Sequence, residues 1–298
     1  MKFRLGIDLG GTKTEGLAIA ADGMELWRRR LPTETGSYDG TIRTIRQLVE
    51  GAESALSGTA SVGVGIPGTI SPATGLVKNA NSTWLIGRAL DRDLAAALGR
   101  PVRLANDADC FALSEASDGT AAGLPVVFGV ILGTGVGGGI VVGGRLVGGP
   151  NAIAGEWGHN PLPWADDGER PGPPCYCGRS GCIETFLSGP GLSRDDDRGL
   201  AAADIAVAGD VESEASLVRY EKRLARALAS VINILDPHAI VLGGGLSNLR
   251  RLYETVPRLW GKWVFSDSVA TLLLPPKHGD SSGVRGAAWL WRAEEPLS

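Results

Sequence analysis

VVFGVILGTGVGGGIVVGG, residues 126–144, reads as a β-branched strand, a glycine turn and a second strand. The chain opens on the same order. FRLGIDLGGTKTEGLAIA, residues 3–20, is again strand, glycine turn and strand, with DGMELWRRRLPT predicting a third strand after it. A half-chain that repeats this weakly predicts two similar α/β lobes with a cleft between them; two unrelated β-hairpins are the alternative.

The segments between support alternating layers. From Thr41 to Leu56 the apolar residues Ile42, Ile45, Leu48, Val49, Ala52 and Leu56 recur at helical spacing. The strand SVGVGI, a helix over RALDRDLAAALG, the strand VRLAND and a helix over DADCFALSEASDG follow. Beyond the second glycine stretch, Ser216 to Leu235 predicts a long helix, HAIVLGGG a strand and LSNLRRLYETVPRLW another helix. The polar passage from Arg194 to Asp210 carries no periodicity that assigns it. On this reading a smaller lobe takes residues 1–117 plus the terminal segment 283–298, and a larger lobe takes 118–282.

Composition narrows the function class. The chain has 298 residues, a net charge of -4 and 43% hydrophobic residues, so no basic excess is present to neutralise nucleic acid or anionic lipid. Neither a signal-like segment nor an apolar run of about 18 residues appears. The expectation is a cytoplasmic protein with no membrane or nucleic-acid partner. Its 44 glycines far exceed the usual share of about 7%, and they cluster after apolar runs, where backbone turns tightly or nears a ligand.

A glycine turn between strands can aim successive N–H groups into one concavity and so hold phosphate oxygens; a plain tight hairpin is the alternative. GxxxxGK[ST] is absent, and GTGVGG leads into more strand, which argues against a dinucleotide fingerprint. Asp8 ends the first strand, where a carboxylate can position Mg2+ through its water shell. Lys13 is within reach of a transferring phosphate; an exposed turn acid and base are the alternatives. Asn106 and Asp107 stand where a strand hands over to a helix, a place that suits a helix cap and a cleft-facing catalytic group equally.

IDLGGTKTE, GIPGTI, KNANSTWL, LANDADC, ILGTGVGGG, GEWGHNPLP, CYCGRSGCIE and VLGGGLSN, in this order over essentially the whole chain, resemble the ROK family of repressors, open reading frames and sugar kinases. KNANSTWL, GEWGHNPLPW and KHGDSSGVRGAAWLW are most similar to its bacterial fructokinase branch, which also accepts mannose. The resemblance implies an actin-like ATPase, ribonuclease H-like fold and an ATP-dependent hexokinase-type phosphotransferase with Mg2+ accompanying ATP. It implies Asp107 as general base for a sugar hydroxyl attacking the γ-phosphorus. Gly10, Gly11, Thr12 and Lys13 would form one phosphate loop, and Gly133, Thr134, Gly135, Gly137 and Gly138 the other. Gly244 and Gly245 would pass under the adenosine. For the sugar it implies Asn81, Asn106, Asp107, Glu156, His159 and Glu184. Ile86 stands where some relatives carry Asn, which bears on sugar preference.

His159, Cys175, Cys177 and Cys182 supply one nitrogen and three sulfurs, the donor set of a closed structural zinc site; a disulfide or unbound thiols are the alternatives. Glu156 precedes the histidine by three residues and Glu184 follows the last cysteine by two, so zinc would pin both acids to one rigid knot. Cys110 reads as a small buried apolar residue. The expected reaction is D-fructose plus ATP to fructose 6-phosphate plus ADP, with N-acetylglucosamine or glucose as the alternative sugars, and the family implies a homodimer. Paired glutamates also suit a glycosidase, but two phosphate loops have no place in that reaction. A sugar-sensing regulator is the reading from another class; such proteins carry a helix-turn-helix ahead of the core, and GIDLGGTK begins within six residues of Met1.

Overall fold

A computed structural model describes residues 1–292; positions 293–298, part of the terminal segment expected in the smaller lobe, lie outside the described residues. In the first half β1 (Lys2–Leu9), β2 (Lys13–Ile19) and β3 (Glu25–Pro32) precede α1 (Tyr38–Leu56) and β4 (Thr59–Ile66). A short ribbon, β5 (Thr69–Ile70) and β6 (Val77–Lys78), leads to α2 (Leu90–Leu98), β7 (Val102–Asn106) and α3 (Asp107–Ser117). The second half runs through β8 (Val126–Leu132), β9 (Val136–Val142), β10 (Arg145–Leu146), α4 (Ile183–Leu187), α5 (Gly189–Asp196), α6 (Ala202–Ala208) and α7 (Val211–Leu235). It ends with β11 (Ala239–Gly243), α8 (Leu252–Trp260), β12 (Leu272–Leu274) and α9 (Ser282–Trp289).

The repetition in the sequence is a repetition of topology. One five-stranded sheet has the order β3-β2-β1-β4-β7 and the other β10-β9-β8-β11-β12. In each, the first three strands are antiparallel, the fourth pairs with the first in parallel and the fifth pairs with the fourth in parallel. The C-terminal ends of the parallel strands β1 and β7 therefore deliver Asp8 and Asn106 to one edge, where α/β proteins bind ligands.

Two helices fill the space between the sheets. On one face of the first sheet, α1 buries Ile45, Leu48, Val49 and Ala52 against β1 and β4, the three larger side chains contributing about 1.5–3 kcal/mol each. Ser37 caps that helix by accepting from Gly40 N at 3.0 Å. On the opposite face α9 comes so close that a Cβ on Gly6 or Gly63 would fall 2.0 or 1.9 Å from its carbonyls. The helix expected to close the smaller lobe, α3, lies on the second sheet instead. Phe111, Ala112, Leu113 and Ala116 share a core with Val127, Val141, Ala239 and Val241, because the apolar residues of DADCFALSEAS find their partners on β8, β9 and β11. Cys110 is fully buried, as its reading required.

Two other expectations change. LSNLRRLYETVPRLW forms a 3-10 turn over Gly245–Asn248 and then α8, not one helix. The Ser247 hydroxyl donates to Gly244 O at 2.7 Å and Asn248 Nδ2 to Gly245 O at 3.1 Å, local bonds that compete with helical ones. In the polar passage Arg198 pairs with Asp196 at the end of α5 at 2.7 Å and with Asp210, the N-cap of α7, at 3.0 Å, bridging the two helices, while α6 between them is anchored by Ile205, fully buried in the core of the second half. Among the described residues no helix is long and apolar enough to cross a membrane.

Candidate active site

Both lobes contribute to a cleft of about 620 Å³. Its walls include Asp8, Gly10, Gly11, Thr12, Asn81 and Asp107 from the first half and Ile131 and Gly244 from the second. Asn106 and Glu156 line a neighbouring cavity of about 220 Å³.

The first glycine turn is held from outside. Gly10 N donates to Lys13 O at 3.1 Å. Thr33, just past β3, donates its backbone N–H to Thr12 O at 3.0 Å and its hydroxyl to Gly10 O at 2.8 Å. The Thr35 hydroxyl reaches Gly11 O at 3.0 Å. With its carbonyls tied down, the turn is fixed while Gly10, Gly11 and Thr12 remain on the cleft wall. Sequence reasoning missed both threonines, since nothing local links residues 33 and 35 to a turn at residue 10.

Asn106 and Asp107 divide the two roles that their position allowed. Asn106 is the N-cap of α3: its Oδ1 accepts from Ala108 N at 2.8 Å and its Nδ2 donates to Gly68 O at 3.2 Å. Asp107 is the first helical residue; its Oδ1 also accepts from Ala108 N at 2.8 Å, and its side chain opens on the cleft. The protein around it pushes its carboxyl above the usual range, opposed by the Ala108 N–H and assisted by the negative charge of Glu156. Asp8 is raised to about 6 by burial, then by Asp107 and Glu15, with Lys13 and Arg30 pulling the other way. Two carboxyls that repel one another on the wall of one cleft are a donor set that a hydrated divalent cation satisfies.

The second glycine turn, Gly133 to Gly135, stands off the walls of both cavities. Gly133 N donates to Gly135 O at 3.0 Å and Gly189 N to Gly133 O at 2.8 Å. Glu184, expected at the sugar, accepts from Val136 N at 2.9 Å and so also anchors this turn. Gly138 is needed for packing: a Cβ there would meet Gly155 O, Phe128 and Trp157 at 2.9 Å. Gly244, at φ +79°, lies against β8 so closely that a Cβ would sit 2.5 Å from Leu132 O; Gly245 begins the 3-10 turn beside it. Ile86 is half exposed at the end of a 3-10 turn over Thr83–Leu85 and lines neither cavity.

Glu156 and His159 flank a 3-10 turn that Trp157 anchors, its indole donating to Gly137 O at 3.0 Å. His159 Nδ1 lies 3.6 Å from Cys175 Sγ, and Cys177 Sγ lies 3.6 Å from Cys182 Sγ. All four donor atoms fall within 4.8 Å of one another, and the four cysteines of the chain are free thiols. Bonds of about 2.3 Å in a tetrahedron place two sulfurs about 3.8 Å apart, so the set fits one metal ion, whereas a disulfide needs about 2.05 Å. The other ring nitrogen of His159 lies 2.9 Å from the Tyr176 hydroxyl. Both nitrogens are thus engaged, and as placed the ring offers no free donor to a sugar. Cys182 is the residue before α4, whose first turn carries Glu184, so the knot joins the Glu156 turn to the Glu184 helix.

The sequence profile of the ROK family matches residues 4–294. An N-acetyl-D-glucosamine kinase of Yersinia pseudotuberculosis is 40% identical over 301 residues, covering 97% of this chain and 99% of that protein. The crystal structure of a ROK hexokinase from Thermus thermophilus superposes with a TM-score of 0.85 at 29% identity, over 96% of this chain and 97% of that one. A ROK family glucokinase from Streptomyces griseus, in complex with glucose and AMPPNP, gives 0.77 at 26% identity, over 97% and 99%. With the doubled sheet topology and the shared cleft, these matches place the chain in the ROK family, among its sugar kinases.

Proposed function

We propose that the protein transfers the γ-phosphoryl group of ATP to the 6-hydroxyl of N-acetyl-D-glucosamine. The observation that carries phosphoryl transfer is one cleft with the Asp107 carboxyl and the Gly10–Thr12 backbone turn on its walls and Gly244 contributed by the other lobe. The amino sugar replaces the expected fructose because the curated relatives at 38–40% identity are N-acetyl-D-glucosamine kinases. Fructose and mannose become the sugars to test against it.

Asp107 acts as the base. Its carboxylate accepts the hydroxyl proton as the sugar oxygen attacks, and a pKa raised by burial brings it nearer the working pH. Gly10, Gly11 and Thr12 present backbone dipoles to the phosphates, where the loose transition state needs alignment and charge stabilisation. Asp8 holds the water shell of Mg2+, which when bound neutralises charge on the phosphates. The second glycine turn, Gly133 to Gly138, reaches the nucleotide as the lobes close, and closure excludes water. Asn81, Asn106, Glu156 and Glu184 surround the sugar, and His159, whose ring nitrogens face Cys175 and Tyr176, serves with Cys175, Cys177 and Cys182 as the set that would hold a structural zinc and so keep the two glutamates in register.

A coupled ADP-release assay across N-acetylglucosamine, glucose, mannose and fructose tests this. The highest kcat/KM is expected with N-acetylglucosamine. Turnover with none of them removes the kinase reading, and a preference for fructose removes the choice of sugar.

A further inference from the structure

The stretch KHGDSSGVRGAAWLW, residues 277–291, has no task in the reaction above. Its first part borders the cleft. Gly279, which opens a 3-10 turn over Gly279–Ser281, and Gly283, in the first turn of α9, stand on the cleft wall with Asp8 and the Gly10–Thr12 turn. Gly283 lies against the acid: a Cβ there would sit 3.7 Å from the Asp8 carboxyl carbon. Ser281, the residue before α9, makes no side-chain cap. Beside Asp8 this segment therefore presents backbone to the cleft, and where that backbone lies depends on what holds it from behind.

Glu115 of α3 holds it. The side chain is fully buried, and donors from two other stretches of chain converge on it. Its Oε1 accepts from the Ser282 hydroxyl at 2.8 Å and faces His278 N at 3.5 Å. Its Oε2 accepts from Lys277 N at 3.1 Å and from Thr120 N at 2.9 Å. These partners are backbone N–H groups and one hydroxyl, so the carboxyl fixes the path of the chain and does not neutralise a cation. Gly119 makes room for the arrangement, since a Cβ there would fall 2.3 Å from Glu115 Oε2. Asp118 supports the same segment: its carbonyl accepts from Lys277 Nζ at 2.8 Å, and its carboxyl meets Arg285 Nη2 and, at 3.2 Å, His278 Nε2. Because α3 rests on the second sheet and α9 on the first, this clasp joins the two halves at the edge of the cleft.

We propose that Glu115 is a positioning residue for the nucleotide: by fixing Lys277, His278 and Ser282 it sets Gly279 and Gly283 at the distance from Asp8 and the Gly10–Thr12 turn that the phosphates of ATP require. The proposal rests on the phosphoryl-transfer reading above and not on the choice of sugar. Glu115 itself is not on the cleft wall, so it acts through the backbone that it holds. A misplacement of about 1 Å at a reacting site costs about 100-fold in rate even when its origin is remote. The clasp includes none of the residues assigned to the sugar, so its loss separates the two substrates.

Isothermal titration calorimetry of the full chain with MgADP, and separately with the sugar that the ADP-release assay prefers, tests this. Glu115→Gln keeps the shape of the side chain but exchanges one acceptor oxygen for a donor, and Ser282→Ala takes one hydroxyl from the clasp. The Kd for MgADP is expected to rise at least about tenfold in Glu115→Gln and at least about threefold in Ser282→Ala, while the Kd for the sugar changes less than about twofold in both. A part in folding alone would lower Tm without moving the nucleotide Kd, or would weaken both ligands together; either result overturns the proposal. Ser282→Ala decides the matter if Glu115→Gln folds poorly. Wild type that fails to bind MgADP removes the phosphoryl-transfer reading and this proposal with it, whereas binding in wild type that both variants leave unchanged overturns this proposal alone.

Discussion

Gly286 of α9 lies directly on Cys110 of α3, so close that a Cβ at position 286 would fall 1.6 Å from the Cys110 carbonyl oxygen. Since α9 packs on the first sheet and α3 on the second, this contact is where the two halves of the molecule meet backbone to backbone. A side chain here cannot be absorbed by a rotamer change, because the obstacle is main chain. Gly286→Leu is expected to lower stability by about 1–3 kcal/mol or more, the range of overpacked cores. Urea unfolding at neutral pH measures it, and a midpoint equal to that of wild type would show that the helices do not depend on this approach.

Replacing Asp107 tests the base directly. Asp107→Asn keeps the shape and the amide oxygen that accepts from Ala108 N, so helix α3 should start as before. The proton acceptor is gone. The expected outcome is a fall in kcat of about 10²–10⁴-fold with sugar affinity, measured by calorimetry without nucleotide, changed by less than about threefold. Retention of most of the turnover would move the base elsewhere.

What the sequence made legible was whatever a short run of residues determines by itself. Glycine after a β-branched run marks a turn wherever it occurs, so the doubled strand-turn-strand unit at residues 3–20 and 126–144 was readable, and with it the two sheets of like order. Three cysteines in eight residues declare their own proximity. The division of labour between Asn106 and Asp107 was not readable, because both side chains can reach the same N–H and only the path of the chain beyond shows which one opens on the cleft. Nor was the attachment of α3 to the second sheet, a choice between two apolar surfaces of similar character. Thr33 and Thr35 were invisible because they act across more than twenty residues on a loop that looks self-sufficient. The packing role of Gly138 in β9 was not readable either, because Gly155 and Trp157, which leave no space for a Cβ there, come from a distant turn.

Removing one sulfur tests the knot. The four donor atoms are already within metal-binding distance of one another, so Cys175→Ser should lower bound zinc from about one per chain to well below that, as measured by plasma mass spectrometry on protein purified without chelator. Because the knot joins the Glu156 turn to the Glu184 helix, sugar affinity should drop with the metal. Zinc absent from wild type, or undiminished in the variant, would dismiss the site.

The raised carboxyl of Asp8 makes a prediction with a definite sign. In the folded protein it titrates at about 6, against about 3.9 in an unfolded chain. Between these values the folded state holds a proton that the unfolded state has released. Its contribution is therefore fully present below about pH 4 and is lost as pH rises through 6. Asp8→Asn, which cannot ionise, should stabilise the ligand-free protein at pH 7.5 by about 1–3 kcal/mol, and the gain should vanish at pH 4. Urea midpoints at pH 4, 5.5 and 7.5 give the comparison, while turnover with MgATP should fall because the carboxylate facing the cation's water shell has been removed. A gain of equal size at every pH would mean that Asn merely packs better, and that repulsion from Asp107 and Glu15 together with burial is not what raises Asp8.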